Sequence, residues 1–572
     1  MSRLPPILLG GRRLRILLVA ALALGQATAA GIAAFATRDV FAAFRDASNV
    51  LPLQPLLLIA GAGCAIAVLR VTERVVAERI GQDYALALRI KLFEHLTRMS
   101  SKEVAQRRIG ALSMRFVGDL AAVRNWVSRG IGRLISAGIV LPAGGAILYL
   151  LNPTLAYAAA APVGIGLLLM ALAGLPLGRM HRRLRARRAR LAADMSERIP
   201  HAPELRLLGR MDIERGRLQR RSEKLIESSV ARTRIAELLR AIPDAVAGFT
   251  AAGILLVALT SGMPPAEAAA GLAAVGLMLM PMRDLAGVWD RRRAWVAARD
   301  KCEALLARPR LHRKLRPVPR DELKGPHPVS FSKVSAGVLE DFTAKAAAGE
   351  KIAILGGNGS GKSTLLHLAA GLEDCGEGKV RLGNWSLPQL SAKARRRAIS
   401  LVSSRAPILA GSLRRALTMG LGNRPDDTEI LETAETFGLN GVLARIGGLD
   451  GTLAEGGRNL SIGEARRVVL TRAALSEAGL LLLDEPETGL DGSGEAQVVD
   501  LLRNSEATVL VATHSPAIAA QMDRIWYLEN GRLVESGKPG DVMAEDRPTG
   551  RFLQSFHYGL LGLSRAVLSG AA

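Results

Sequence analysis

Cysteine is nearly missing from this chain. Cys64, Cys302 and Cys375 are the three in 572 residues, far apart and without CxxC or Cys/His spacing. That excludes a disulfide framework and a zinc site, and three reduced thiols are expected. Cys64 falls in an apolar stretch, where it would face either lipid or a substrate path. Aromatics are also scarce, at 4%, so the 49% hydrophobic content is mostly Ala, Leu, Val and Ile. Acidic residues are outnumbered: 52 Asp and Glu stand against 76 Lys and Arg, a net charge of +24. An excess of this sign suits nucleic acid or a membrane. No aromatic-interleaved basic patch or nucleic-acid motif accompanies it, so nucleic acid is set aside as a partner. A cleavable leader is lacking too. The first apolar run is long and has no clear small-residue cleavage site, so it reads as a retained anchor.

Long apolar runs are what the chain does have, and mean hydropathy is +0.20. Crossing a bilayer takes about 20 apolar residues. Six stretches approach or meet that need: Ile16–Phe35, Leu51–Leu69, Leu134–Leu151, Leu155–Leu177, Ala245–Leu259 and Ala268–Met282. The first four carry no charge inside, which argues against buried core helices. The last two are blurred at their ends by Pro243, Pro264, Pro265 and Pro281. Arginines cluster beside the spans. Arg12, Arg13 and Arg15 precede the first. Arg179, Arg182, Arg183, Arg185, Arg187, Arg188 and Arg190 follow the fourth, and Arg291, Arg292 and Arg293 follow the sixth. The opposite loops, Asn152-Pro153 and 261–265, are short and almost uncharged. This is the positive-inside pattern with a cytoplasmic N-terminus, and some of these arginines would meet anionic lipid head groups. The spans contain no acidic or basic cluster that would mark an ion path.

The segments 70–133 and 179–240 are too long for ordinary loops and show helical periodicity, as in Arg89–Leu96. Two legs of about 30 helical residues would reach roughly 45 Å beyond the membrane. Their turns, near Arg89–Leu96 and His201–Gly209, are the places expected to meet a cytoplasmic domain. A Pro- and charge-rich connector, Arg308–Arg320, follows the sixth span. The organisation read from sequence is a membrane domain over 1–307, a linker over 308–327 and a second domain over 328–572.

The second domain opens with Gly356-Gly357-Asn358-Gly359-Ser360-Gly361-Lys362-Ser363, then Thr364, set between the apolar run 351–355 and a helical run. This is the GxxxxGKS spacing in the strand–loop–helix context it requires. The glycines let backbone N–H groups curl around phosphate oxygens at a helix N-terminus. Lys362 would neutralise the β- and γ-phosphates, and the Ser363 hydroxyl would ligate Mg²⁺. ATP is therefore the expected nucleotide.

From this point the chain resembles an ABC exporter half-transporter, a membrane domain fused ahead of a nucleotide-binding domain, and the resemblance covers essentially its whole length. It implies an all-α six-helix membrane domain with long cytoplasmic extensions, followed by an α/β P-loop ATPase domain with a helical subdomain. Leu480–Glu485 matches the Walker B strand: Asp484 would hold Mg²⁺, usually through water, and Glu485 would polarise the attacking water. Residues 486–491 resemble the D-loop, and His514, after the run Thr508–Ala512, matches the switch histidine. Residues 451–460 resemble the exporter-specific segment before the signature. Ser461 and Gly463 of the signature would donate to the γ-phosphate bound by a partner subunit.

Four positions depart from the family pattern. The signature reads Leu460-Ser461-Ile462-Gly463-Glu464 where the family has LSGGQ, so Ile462 adds a Cβ where backbone meets phosphate. Ser404, beside Arg405, replaces the Gln-loop glutamine and is too short for its reach. Lys333 stands where an aromatic would stack on adenine, while Phe331 reads as core. A sound P-loop half with a poor signature half suits a heterodimer with unequal sites; a slow homodimer fits as well. The expectation is ATP-driven export of an unidentified substrate across an inner membrane, by a dimer with a second half-transporter. An accessory membrane subunit that binds ATP without transporting is the alternative. A narrower resemblance is to the thiol exporter for cytochrome assembly, whose second subunit has an LSGGE-like signature.

Overall fold

The computed structural model describes residues 4–45, 51–107, 109–311, 313, 315, 317–319, 321–404 and 406–554. His312, Lys314, Arg316 and Arg320 of the connector, and Arg405 beside Ser404, lie outside the described residues. The chain divides into two compact units. One is Met1–Arg98 with Ala105–Pro309; the other is Met99–Val104 with Arg310–Ala572.

Among its described residues the first unit has six helices long and apolar enough to cross a membrane: Arg12–Phe44, Leu53–Leu96, Leu112–Leu151, Pro153–Leu207, Met211–Thr260 and Pro265–Leu306. Five of them contain an expected span whole, and the second begins at Leu53, two residues into the expected Leu51–Leu69. The prolines behave by position. Pro264 and Pro265 cap and start the last helix, where a missing N–H costs nothing. Pro243 and Pro281 lie inside long helices instead of ending them, as membrane helices allow. Small residues set the close approaches. A Cβ on Gly166 would come within 2.2 Å of Val246 Cγ2, and one on Gly144 within 2.6 Å of Met278 Cγ. Packing of this kind substitutes for a hydrophobic driving force that lipid cannot supply. Leu148, Leu155 and Ile254 close a dry core between these helices.

The legs differ from expectation in one place. Arg89–Leu96 is not a turn; the second helix runs unbroken for 44 residues to Leu96, its Leu88, Leu92 and His95 buried on one face. That periodic apolar stripe keeps the chain helical, and the turn comes later, at Thr97–Ser100. The segment beyond it, Met99–Val104, belongs to the second unit. There the Ser101 N–H donates to Leu372 O at 3.0 Å and the Lys102 N–H donates to Glu373 Oε1 at 2.5 Å. His201–Gly209 does form the other turn, as the short helices Ile199–His201 and Ala202–Leu207 with Leu207 and Leu208 exposed.

The described residues of the second unit form twelve strands: β1 (Val329–Ala336), β2 (Leu339–Ala346), β3 (Lys351–Leu355), β4 (Glu377–Leu382), β5 (Trp385–Ser386), β6 (Ile399–Val402), β7 (Gly411–Ser412), β8 (Thr452–Leu453), β9 (Leu480–Asp484), β10 (Thr508–Ala512), β11 (Arg524–Glu529) and β12 (Arg532–Gly537). The main sheet has the order β12-β11-β3-β10-β9-β6 and is parallel except for β12. Its strands are continuous apolar runs because both faces are covered. Ile352, Ile354, Leu480, Leu482 and Leu510 face one layer, and Leu355, Leu481, Leu483, Val509 and Val511 the other. A smaller antiparallel sheet, β2-β1-β4-β5, flanks it. Phe331 is buried there, with its ring edge to Phe342 and Trp526, so it is core as read from sequence. A helical group centred on Leu413, Leu417, Ile430, Leu439 and Val468 forms its own core.

Candidate nucleotide site

Register across the parallel sheet brings three strand ends level. Ala512 pairs with Ile354 on one side and with Asp484 on the other. The residues just past β3, β9 and β10 therefore emerge together at the C-terminal edge, where α/β sheets bind ligands. They are the loop Gly356–Gly361, then Glu485, then Thr513 and His514.

The loop is a cradle by construction. Gly356 has φ +150° and Gly361 has φ +108°; a Cβ on the first would lie 2.2 Å from Leu528 O, and on the second 2.6 Å from Leu339 Cδ2. No other residue fits either position. Gly357, Asn358 and Gly359 form the lip, with Asn358 and Gly359 exposed. The Ser360 hydroxyl is buried and without a hydrogen-bond partner among the described residues. A buried orphan hydroxyl in a glycine loop that leads into a helix fits a ligand that brings acceptors. Lys362 and Ser363 begin the following helix, Lys362–Ala369, with Thr364 in its first turn.

Lys362 folds back over the loop, its Nζ donating to Gly356 O at 2.7 Å and to Gly357 O at 3.2 Å. Burial holds its pKa below the usual lysine value, while Glu485 and Asp484 pull the other way. Ser363 Oγ donates to Asp484 Oδ1 at 3.1 Å. Burial raises the Asp484 pKa, with the Ser363 hydroxyl pulling the other way. Two hard oxygens this close, one of them anionic, match the ligands magnesium prefers. Glu485 has φ +49°, and its N–H donates to Ala512 O at 2.8 Å. Its Oε1 lies 3.5 Å from His514 Nε2. Burial first, and the Lys362 charge second, lower the His514 pKa, which keeps the imidazole neutral at pH 7.

Two residues that sequence reading passed over tie this edge together. Glu487 Oε1 accepts from Thr513 Oγ1 at 2.6 Å and from the His514 N–H at 3.2 Å. Arg466, 8% exposed, donates to Glu485 O at 3.1 Å and to Thr488 O at 3.4 Å. An acid two residues after the Walker B glutamate was a visible signal; an arginine in the middle of a helix was not.

Ser461 and Gly463 sit elsewhere, at the start of helix Ile462–Ala474; no hydrogen bond or ion pair among the described residues joins them to the P-loop. Ser461 is the N-cap, its Oγ accepting from Glu464 N at 3.1 Å while Glu464 Oε2 accepts from Ser461 N at 2.8 Å. Glu464 also takes both arms of Arg445, each at 2.8 Å. Arg445 first, and the Ser461 N–H after it, draw the Glu464 pKa down to about 2. So Glu464 completes a capping box and an ion pair. Ile462 is 81% exposed. Ser404 is exposed two residues past β6, and Lys333 is exposed with φ +48°.

The ABC transporter family profile matches residues 339–488 and the ABC transporter transmembrane region profile matches 16–281. An ATP-dependent lipid A-core flippase of Desulfotalea psychrophila is 26% identical over 527 residues, 89% of each chain. The Glutathione/L-cysteine transport system ATP-binding/permease protein CydD of Escherichia coli is 28% identical over 414 residues, 67% of this chain and 68% of that one. Its CydC counterpart is 36% identical over 233 residues, 40% of each. Among solved structures, a bacterial Atm1-family ABC exporter with ATP bound superposes with a TM-score of 0.81 at 19% identity, covering 95% of this chain and 98% of that one.

Proposed function

We propose, for a chain that belongs to the ABC transporter family as an exporter half with its membrane domain fused ahead of its ATPase domain, that a dimer exports its substrate from the cytoplasm across an inner membrane. The carrying observation is the convergence of Lys362, Ser363, Asp484, Glu485 and His514 on one sheet edge in a chain that also has six membrane-crossing helices. ATP hydrolysis is coupled to transport in this family, and the residues present divide the work. The cradle N–H groups and Lys362 bind and orient the phosphates. Ser363 and Asp484 are the residues that would hold a magnesium ion, which when bound neutralises phosphate charge. Glu485 polarises the attacking water as general base. Neutral His514, held by Glu487 through its N–H, donates a hydrogen bond toward the γ-phosphate from Nε2. Ser461 and Gly463 act on the nucleotide of the partner subunit.

The exposed Ile462 side chain on the signature favours unequal sites in a heterodimer. Glu485→Gln tests the assignment. The carboxylate base is lost while binding survives, so hydrolysis should fall to a small residue and ATP-bound closed dimers should accumulate. Unchanged turnover, measured alone and with a partner half-transporter, would overturn the role of Glu485. ATP binding without any turnover in either preparation would favour an accessory subunit.

A further inference from the structure

The sheet edge that carries His514 has one more neighbour, and it comes from late in the chain. Leu355, the residue before the cradle, pairs with Tyr527 on β11, and Tyr527 pairs with Glu535 on β12. Glu535 is therefore level with the cradle, two strands away. Its Oε2 accepts from the Thr549 N–H at 3.1 Å and from Thr549 Oγ1 at 2.6 Å, and Thr549 is buried. These bonds fix the start of a helical segment over 548–554. Gly550 lets that segment press close, since a Cβ there would lie 1.9 Å from Ala544 O.

Residues three apart on a helix share a face. Phe552, three after Thr549, is thus carried back toward the cradle. Its ring centroid lies 5.5 Å from that of Tyr527 and 6.3 Å from that of the His514 imidazole. Both separations fall within the roughly 4.5–7 Å of attractive ring contacts. Glu487 holds the backbone N–H of His514, whereas Phe552 meets its ring. The charged groups acting on that ring are Lys362 from the helix after the cradle, Glu485 from the end of β9 and Glu487 just beyond it. Phe552 adds cover without charge. Tyr527, on the same Phe552 ring, stays neutral, because burial first, then Glu529 and Glu535, raise its pKa. Burial is the largest cause lowering the His514 pKa, and Phe552 supplies part of it.

We infer that Phe552 is a positioning residue for ATP hydrolysis: packed against both Tyr527 and His514, it fixes the angle of the imidazole and keeps water from it, and the bond of Thr549 to Glu535 holds Phe552 in place. The segment 548–554 thereby governs turnover without touching nucleotide. This rests on the ATP-driven export reading above.

The test is the pH profile of ATPase activity of full-length protein in vesicles, alone and with a partner half. In Phe552→Ala the imidazole is loosened but present. Its kcat should fall about tenfold, short of the roughly hundredfold a misplaced group can cost, with KM for ATP little changed. Water admitted to the ring favours its charged form, so the acid limb should move to higher pH, toward the ordinary histidine value of about 6.5. Phe552→Leu, which keeps most of the apolar cover, should bring the limb back most of the way. Thr549→Val, which removes one of the two bonds to Glu535, should shift it in the same direction by less. Leu553→Ala truncates a neighbouring buried side chain of the same segment; it should lower the melting temperature and leave the limb in place. A Phe552→Ala profile that matches wild type, or a Leu553→Ala profile that shifts as far, overturns the positioning role and leaves the export reading standing. Absence of ATPase in wild type and in the mixed complex removes that reading, and this inference with it.

Discussion

Glu464→Gln restores the residue the family carries, yet it should weaken this protein. The Glu464 carboxylate accepts three hydrogen bonds, from Arg445 Nη1, Arg445 Nη2 and Ser461 N, each 2.8 Å long. A glutamine offers one acceptor oxygen and sets an NH₂ against the guanidinium, so at least one of these bonds becomes a clash of donors. Arg445 is half exposed, so the pair counts as a surface pair with good bidentate geometry, about 1 kcal/mol. For a unit of this size that is a fall of about 2–4 °C in the melting temperature, readable by intrinsic-fluorescence melting of purified full-length protein. The pH dependence has a definite sign. The carboxyl is drawn from an ordinary 4.5 to about 2, so its contribution is complete above the higher value and is lost only as pH falls through the lower. The gap between variant and wild type should therefore be flat from about pH 6 to 8, and should shrink in high salt. Arg445→Ala should cost a similar amount, and the double variant no more than either single. Equal melting temperatures, or costs that simply add, would refute the coupling.

Lys362→Ala should weaken ATP binding at least tenfold in a fluorescent-nucleotide titration, since it deletes the lone cation the motif supplies; unchanged affinity would place the nucleotide elsewhere. Ile462→Gly should raise ATPase activity in whichever assembly sets this signature against a second P-loop, homodimer or mixed complex, and adding Glu464→Gln should contribute nothing further; no increase in either would turn attention to Ser404. Glu487→Ala frees the His514 loop, so kcat should drop severalfold with KM for ATP little changed, and Glu487→Gln should rescue part of it. In wild type, His514 should protonate only below its ordinary pKa of about 6.5, so activity should persist on the acid side to below that value, and the acid limb should move to lower pH still if Glu487 is removed, because the Glu487 charge raises the His514 pKa.

Much of this was legible in the sequence, for identifiable reasons. Gly356 to Ser363 carry their chemistry in a spacing, and the apolar runs that became β3, β9 and β10 are uniform because both faces of the sheet are covered. The six spans showed as charge-free stretches. What escaped depends on where separate segments meet. Arg133 and Asp284, at the ends of the third and sixth spans, each looked like ordinary flanking charge, and folding pairs them at 3.1 Å. Glu464 looked like a decayed signature until Arg445, nineteen positions earlier in the chain, was found holding it. Arg466 carries no motif at all, and the turn after the second helix was placed too early because the stripe through Leu88, Leu92 and His95 continues past it.

The membership of Met99–Val104 in the second unit has a practical corollary for recombining half-transporters. A chimera that exchanges ATPase modules at the connector near Arg310 would transplant Leu372 and Glu373 but leave their hydrogen-bonding partners, the amides of Ser101 and Lys102, behind in the recipient. The interchangeable part is discontinuous in sequence: six residues from the first third of the chain travel with the last 263. Grafts that ignore this would fold both parts and still run uncoupled, hydrolysing ATP with nothing moved.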